Sequence, residues 1–543
     1  MRLDSRIPTA AALVVALSLG PAAAQPGRQP ASAVGTVFND ANANGVRDPG
    51  EKGLPGVRIS NGRDVVRTDA GGRYRLPIDG DTIIFLIKPR GWMSPLGADN
   101  LPRFYYIHKP AGSPPLRCKG IDPTGPLPGS VDFPLRRHAE PTRFRAFFLA
   151  DIHIGRQEDL NYYAHDLVEE LAGGDAALAV SLGDLVGGDP SLFGDASRVT
   201  GLIGIPWYTA IGNHDLNDDA KTDELSDETF ERYFGPTYYS FDYGPVHFLV
   251  LDNINWTADQ DWGYTADFGP RQLEFVRNDL AAVPQNQLVV VAMHIPLFDI
   301  DDRGQLYRLL EKRPNVFTIS GHHHTQQHRF IGRDNGWNGA KPLHHLVNVA
   351  ACGSWWTGAP DEVGIPHATM PDGAPNGYSI ITFDNSRYSV QFKAARRPAD
   401  YQMNIYAPEE ITAADSQRTE VFVNVFAGSA RSKVEMRLGR SGSWSRMDKV
   451  EAADPYYLLL KKMEQGPNRP PGKELPSPSA SQHLWKAVLP KNPPPGTYLI
   501  FVRTTDMFGR TYCARRAITI RPAVGPRPVR GSGRSIGDSL SSS

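Results

Sequence analysis

Cysteine is almost missing from this sequence: 543 residues hold three, Cys118, Cys352 and Cys513, set in three distant segments. That scarcity excludes a disulfide framework and any cysteine-based zinc spacing. One bridge at most is open, an odd thiol is left over, and isolated buried thiols are the plainer expectation. Net charge is lacking too. With 58 Lys and Arg against 59 Asp and Glu, no global basic field marks nucleic acid or an acidic membrane as a partner. No internal repeat is present, and beyond the first residues no apolar run approaches the roughly 20 residues a membrane helix needs. What remains is length enough for three or four domains at about 150 residues each, a hydrophobic share of 40%, and 15 His.

The first 24 residues read as a signal peptide. Arg2 and Arg6 give a positive start, Ala11 to Gly20 is a short apolar run, and Ala22-Ala23-Ala24 offers small-residue cleavage. An uncleaved anchor would need a longer run. The expectation is export, to the periplasm or outside the cell, without a transmembrane segment.

From Ala33 to about Pro134, short alternating stretches such as Arg73-Tyr74-Arg75-Leu76 are separated by Gly and Asp turns, which predicts an N-terminal β-sandwich over 33–135. Residues 99–130 are rich in Pro and Gly and read as irregular. From Thr142 the pattern changes to strand-length apolar runs alternating with helical segments, the mark of layered α/β architecture. Strands are expected at 144–150, 177–182, 206–211, 246–252, 287–293 and 316–320, helices at 158–172, 270–283 and 303–312, and closing strands at 343–352, 378–384 and 388–394. After about Pro398 the helical spacing vanishes, and a second β-sandwich is expected over 398–522, followed by a low-complexity tail at 523–543.

Five short motifs fall in order within the α/β segment: Asp151-Ile152-His153, Gly183-Asp184, Gly212-Asn213-His214-Asp215, Met293-His294 and Gly321-His322-His323-His324. Each follows a predicted strand, where loops of α/β sheets converge to build sites. Singly each motif is weak, since a lone Gly-Asn-His-Asp is a turn as often as a site. Together, in this order, they can deliver carboxylate, amide and imidazole to one point.

The set resembles the calcineurin-like metallophosphoesterases over about 142–397, and the whole order resembles a bacterial subgroup with N-terminal and C-terminal accessory domains. The resemblance implies a central four-layer α/β/β/α sandwich flanked by the two β-sandwiches. It further implies that Asp151, His153 and His324 hold one metal, that Asn213, His294 and His322 hold a second, and that Asp184 bridges them. His214 would stand beside the leaving group as general acid, oriented by Asp215. Two cations about 3.5–4 Å apart can clamp the attacking and leaving oxygens at phosphorus, and a water they share loses its proton near neutral pH. Mixed imidazole and carboxylate ligands suit Mn, Zn, Fe or Co without choosing among them. Purple acid phosphatases carry a tyrosine ligand where Gly187 stands, so a ferric–tyrosinate centre is not expected.

Around this set, Arg156 is a candidate for a phosphate oxygen, and Trp355 and Trp356 are candidates for stacking on a substrate, with one of the two expected in the core. The turn Asp372-Gly373-Ala374-Pro375-Asn376-Gly377 is a weaker candidate for the pocket edge. His323 is expected to point away from the metals. Asp40-Ala41-Asn42-Ala43-Asn44-Gly45-Val46-Arg47-Asp48-Pro49-Gly50-Glu51 has the oxygen spacing of a calcium loop through Asp40, Asn42, Asn44, Val46, Asp48 and Glu51. Its flanks are not helical, and the stretch resembles calcium-binding repeats of bacterial adhesins rather than an EF-hand. The leading expectation is an exported phosphomonoesterase or phosphodiesterase. The alternative is a cell-surface or carbohydrate-binding protein that uses the β-sandwiches, with the α/β segment as scaffold.

Overall fold

Strand Arg143–Leu149 sends Phe144, Ala146 and Phe148 to one side and Phe147 and Leu149 to the other, and all five are buried. A strand covered on both faces requires layers on both sides, and each fully buried Phe contributes roughly 1.5–3 kcal/mol over exposure. The computed structural model describes residues 31–258 and 263–522. The expected leader and the tail at 523–543 lie outside the described residues.

The central region is two facing sheets. One has five strands in the order Trp207–Thr209, Leu178–Ser181, Arg143–Leu149, Gly377–Asp384 and Arg387–Ala394. The first three are parallel, and the last two form an antiparallel hairpin. The other has six, in the order Tyr239–Tyr243, Val246–Val250, Leu288–Ala292, Val316–Ser320, Leu343–Val347 and Gln327–Ile331. Phe248 meets Phe383 edge-on at 5.6 Å and Tyr208 stacks on Phe241 at 3.8 Å, which ties the sheets together. On the far side of the five-stranded sheet, Phe147 and Leu149 join Tyr163, Leu167 and Leu171 from a helical run over 157–171. Helices Gly269–Leu280 and Arg303–Leu310 add Phe275, Val276, Leu306 and Leu310 to the larger core.

Two four-stranded sheets make up the N-terminal region, and a four-stranded and a five-stranded sheet the C-terminal one. In the first, strand Thr82–Ile87 is buried almost throughout because its outer side meets the central region, with Phe85 edge-on to Phe275 at 5.5 Å. In the second, Val421, Val423, Trp485, Met436, Ile500 and Ile518 form a separate core.

One expectation fails in the C-terminal region. Helix Pro455–Glu464 forms there, started by Pro455 at its first position and by Asp454, whose side chain accepts from the Tyr457 amide. Helical spacing does not reveal it because only Tyr457 and Glu464 are buried, while Leu458, Leu459 and Met463 are exposed. The cysteines are all free, and Cys513 is exposed rather than buried, on the outward face of strand Thr511–Arg521. Among the described residues no helix is long and apolar enough to cross a membrane.

Candidate metal centre

Each of the five motifs begins within four residues of the end of a central strand: Arg143–Leu149, Leu178–Ser181, Trp207–Thr209, Leu288–Ala292 and Val316–Ser320. Five of the seven residues assigned to metals have left-handed backbone: Asp151 (φ 52°), His153 (51°), Asp184 (53°), His322 (74°) and His324 (51°). Such a conformation costs a side-chain-bearing residue about 1–2 kcal/mol, and it clusters where function holds it in place. It turns successive loops back toward one point. Close approach finishes the job: a Cβ on Gly212 would meet the Asp184 amide nitrogen at 2.1 Å, and one on Gly183 would meet His294 Nδ1 at 2.7 Å.

Asp184 stands at the middle. Its Oδ2 lies 3.1 Å from His153 Nε2 and 3.3 Å from His294 Nε2, while Oδ1 accepts from the His214 amide at 2.9 Å. On one side, His324 Nε2 faces His153 Nε2 at 3.1 Å and Asp151 Oδ1 at 3.7 Å. On the other, Asn213 Oδ1 lies 2.9 Å from His294 Nε2 and 3.0 Å from His322 Nδ1, and these two nitrogens are 3.2 Å apart. The structure thus brings all seven residues together in two groups that share Asp184.

Ring orientation is set from behind. His294 Nδ1 donates to the Leu182 carbonyl at 2.8 Å and His324 Nδ1 to the Gly353 carbonyl at 2.5 Å, so both Nε2 atoms face inward. Asp151 accepts the His322 amide at 2.9 Å and 3.1 Å, which joins the first loop to the fifth.

Electrostatics divides the histidines of the donor set. Burial pushes His322 down to about 3, with His294 adding to the fall, and takes His324 well below its ordinary value. Both are therefore neutral imidazoles, the form that ligates metal. Burial also disfavours charge on His294, but Asp184 prevails and lifts it to about 9. Burial raises Asp151 to about 6. Asp184 resists the same burial and stays well below the usual carboxylate range, because His294 and His153 flank it. Facing imidazole nitrogens at about 3 Å repel unless a proton or a metal ion lies between them. Nitrogen-to-metal bonds of about 2.0–2.1 Å put neighbouring ligands at about that separation. The residues present fit a pair of divalent cations.

His214 lies in the same cleft, its ring 4.7 Å from that of His153, and burial lowers its pKa. Asp215 does not orient that ring. Fully buried, it accepts from the Val186 amide at 3.1 Å and the Gly212 amide at 2.9 Å, which fixes the loop backbone. Burial, with Asp184 adding, raises Asp215 to about 7. Among the described residues no hydrogen bond links Asp215 to the His214 ring. His323 points away, to Asp299 at 2.8 Å.

The outer candidates divide. Trp355 is 42% exposed, stacks on His324 at 3.9 Å and lines the cleft, whereas Trp356 is buried and donates to the Ile152 carbonyl at 3.0 Å. Arg156 does not reach the cleft, because Asp159 at 3.1 Å and Glu158 at 3.0 Å hold it. The turn at Asp372 does not edge the cleft either. Asp372 is buried between the Gln326 amide at 2.8 Å and His483 Nε2 of the C-terminal region at 2.9 Å. In the 40–51 loop the oxygens already accept from its own amides: Asp40 from Asn44 and Gly45, Asn44 from Val46, and Glu51 from Ala41 and Asp48. Trp256 and Tyr264 were not anticipated. They lie on a short hairpin, Asn255–Trp256 with Tyr264–Thr265, and help enclose the cleft of about 780 Å³. A two-residue strand has no periodicity to read; the only signal is Gly263 beside aromatics.

Three family descriptions match the chain in order. These are the N terminal of Calcineurin-like phosphoesterase over residues 41–116, Calcineurin-like phosphoesterase over 144–326, and the C terminal of Calcineurin-like phosphoesterase over 345–512. No curated protein matches in sequence. Among solved structures, the purple acid phosphatase PPD1 from yellow lupin (Lupinus luteus) seeds is 14% identical, with a TM-score of 0.34 over 63% of this chain and 67% of that one. The structure titled PhoD is 13% identical, with a TM-score of 0.36 over 74% of this chain and 92% of that one. Both likenesses are too loose to carry an argument.

Proposed function

We propose, for a chain that belongs to the calcineurin-like phosphoesterase family with its N-terminal and C-terminal regions, that it hydrolyses phosphate esters outside the cytoplasm with two divalent cations. The observation that carries this reading is Asp184, its Oδ2 within 3.3 Å of an imidazole from each of two groups. Asp151, His153 and His324 would hold one ion, and Asn213, His294 and His322 the other, with Asp184 shared; Mn, Zn, Fe or Co all suit these donors. When bound, the ions supply Lewis-acid charge for the phosphoryl oxygens and a water of lowered pKa.

The chain's own residues do the rest. His294 and His324, each tied at Nδ1 to a carbonyl, keep Nε2 turned inward, and Asp184 balances positive charge at the centre. Burial leaves the His214 ring neutral in the free site. An anionic ester beside it acts in the opposite direction, so substrate itself favours a proton on this ring, available to the departing alkoxide. Asp215 serves by holding the loop that carries Asn213 and His214.

Export rests on residues 1–24, which lie outside the described residues. A structural calcium ion at 40–51 remains part of the reading through the spacing of Asp40, Asn42, Asn44, Asp48 and Glu51 and the carbonyl of Val46.

The test uses metal-loaded protein with p-nitrophenyl phosphate and its bis ester, which also separates monoesterase from diesterase. His214→Ala is expected to slow turnover by about 10²–10⁴ with metal content unchanged. The loss should be larger for an alkyl ester than for the nitrophenyl ester, whose leaving group needs little protonation. Asp184→Ala is expected to lose both metal and activity. A parent that cleaves neither ester faster than Asp184→Ala would sink the proposal.

A further inference from the structure

The cleft beside the metal-assigned residues has aromatic rings at both ends and, among the described residues, no Lys or Arg. Trp355 stacks on His324 at 3.9 Å with 20° between planes, and it also meets His153 edge-on at 6.2 Å, so it borders one group of three. Tyr264 meets His322 edge-on at 6.3 Å and borders the other. Trp256, beside Tyr264 on the same hairpin, is anchored by its indole N–H to the Ala220 carbonyl at 2.9 Å. Trp355 is held in a left-handed backbone (φ 52°) while 42% exposed. A bulky residue rarely adopts that conformation, and an exposed indole gains little burial to offset it.

Charge narrows the choice further. Among the described residues no Lys or Arg lines the cleft. Arg156 is tied to Glu158 and Asp159, and Arg117 to Asp218 at 2.6 Å on the cleft wall. Beyond the metal groups and His214, a second phosphate or a carboxylate on the substrate would find no cationic partner among the described residues. A flat, uncharged ring would find faces to stack on.

We propose, resting on the phosphoesterase reading, that this site takes esters with a single phosphate whose alcohol portion carries an uncharged planar ring, seated against Trp355 and Tyr264. The ring selects the substrate, and a cleft without Lys or Arg among the described residues disfavours a second anionic group.

Adenosine 5′-monophosphate and ribose 5-phosphate share one primary alkoxide leaving group and differ by the ring, so their kcat/KM ratio isolates the stacking. With the full chain loaded with Mn or Zn, the ratio is expected to be about tenfold or more, as base stacking on aromatic side chains elsewhere implies. Trp355→Ala and Tyr264→Ala should each bring it down several-fold, and adenosine 5′-diphosphate should fall below the monophosphate. Quenching of tryptophan fluorescence gives a reading that does not depend on turnover. Adenosine 5′-monophosphate should quench the metal-loaded parent more than Trp355→Ala, and ribose 5-phosphate neither. A ratio near one, a ratio unmoved by both variants, a preferred diphosphate, or quenching unchanged in Trp355→Ala would each overturn the inference. If nitrophenyl phosphate is hydrolysed and the ratio is one, only this inference falls. If no ester is hydrolysed but quenching is selective, the catalytic reading falls and the ring-binding site stands.

Discussion

The two flanking regions hold the central one by opposite means. The N-terminal junction is an ion cluster: Arg58 reaches Asp242 at 2.7 Å and Asp279 at 2.5 Å, and His247 bridges the same carboxylates at 2.8 Å and 2.9 Å. His247 and Asp279 are fully buried, and none of the four touches the metal-assigned residues or lines their cleft. The C-terminal junction is a hydrogen-bond relay. His483 joins Asn424 at 2.6 Å and Asp372 at 2.9 Å, and Asp372 holds the amide of Gln326, two residues beyond His324. One junction secures the fold; the other reaches the loop that carries two proposed ligands.

That contrast can be broken by mutation. Arg58→Ala leaves buried carboxylates short of a partner and is expected to cost about 3–5 kcal/mol, read by denaturant unfolding, with kcat of the folded protein unchanged. His483→Ala is expected to cost less, about 1–3 kcal/mol, but also to weaken metal binding about tenfold and lower kcat. If Arg58→Ala changed kcat, or His483→Ala moved stability alone, the division would not hold.

A third measurement sharpens the contrast through pH. Asp279 resists its burial because His247 and Arg58 draw it down to about 2 from 3.8, so its contribution is complete above about pH 4 and disappears as pH falls through 2. That amounts to about 2 kcal/mol. For His247, burial is outweighed by Asp279 and Asp242 and its pKa is raised, so its contribution is complete below about 6.5 and is lost as pH rises past the raised value. The stability gap between parent and His247→Gln should therefore be widest between about pH 4 and 6.5. A gap constant from pH 3 to 9 would contradict the cluster's role. The smallest effect belongs to the 40–51 loop, where calcium is expected to raise the parent's melting temperature by a few degrees at most and to leave Asp40→Ala/Glu51→Ala unmoved.

Much of the centre was legible because its donors are chemically distinctive and each follows its own strand. The relay was not, since His483 and Asp372 are 111 residues apart, and Asp372 and Gln326 are 46 apart, with no shared pattern. Trp355 and Trp356 show the limit most plainly. Adjacent, identical and both left-handed, they divide between cleft and core because side-chain direction depends on neighbours no local pattern records. Asp215 misleads for a related reason: its place beside His214 suggests a partner for the ring, while the Gly212 amide of its own loop and the Val186 amide from another take its oxygens.

The left-handed backbone at Asp151, His153, Asp184, His322 and His324 has an evolutionary consequence. At most positions glycine is the poorer replacement, because it enlarges the freedom of the unfolded chain. At these five it removes about 1 kcal/mol or more of conformational tension that alanine keeps. A duplicated copy released from its chemistry would therefore drift toward glycine at the vanished ligands. The loops would survive as a fossil outline of the centre, readable after every donor had gone.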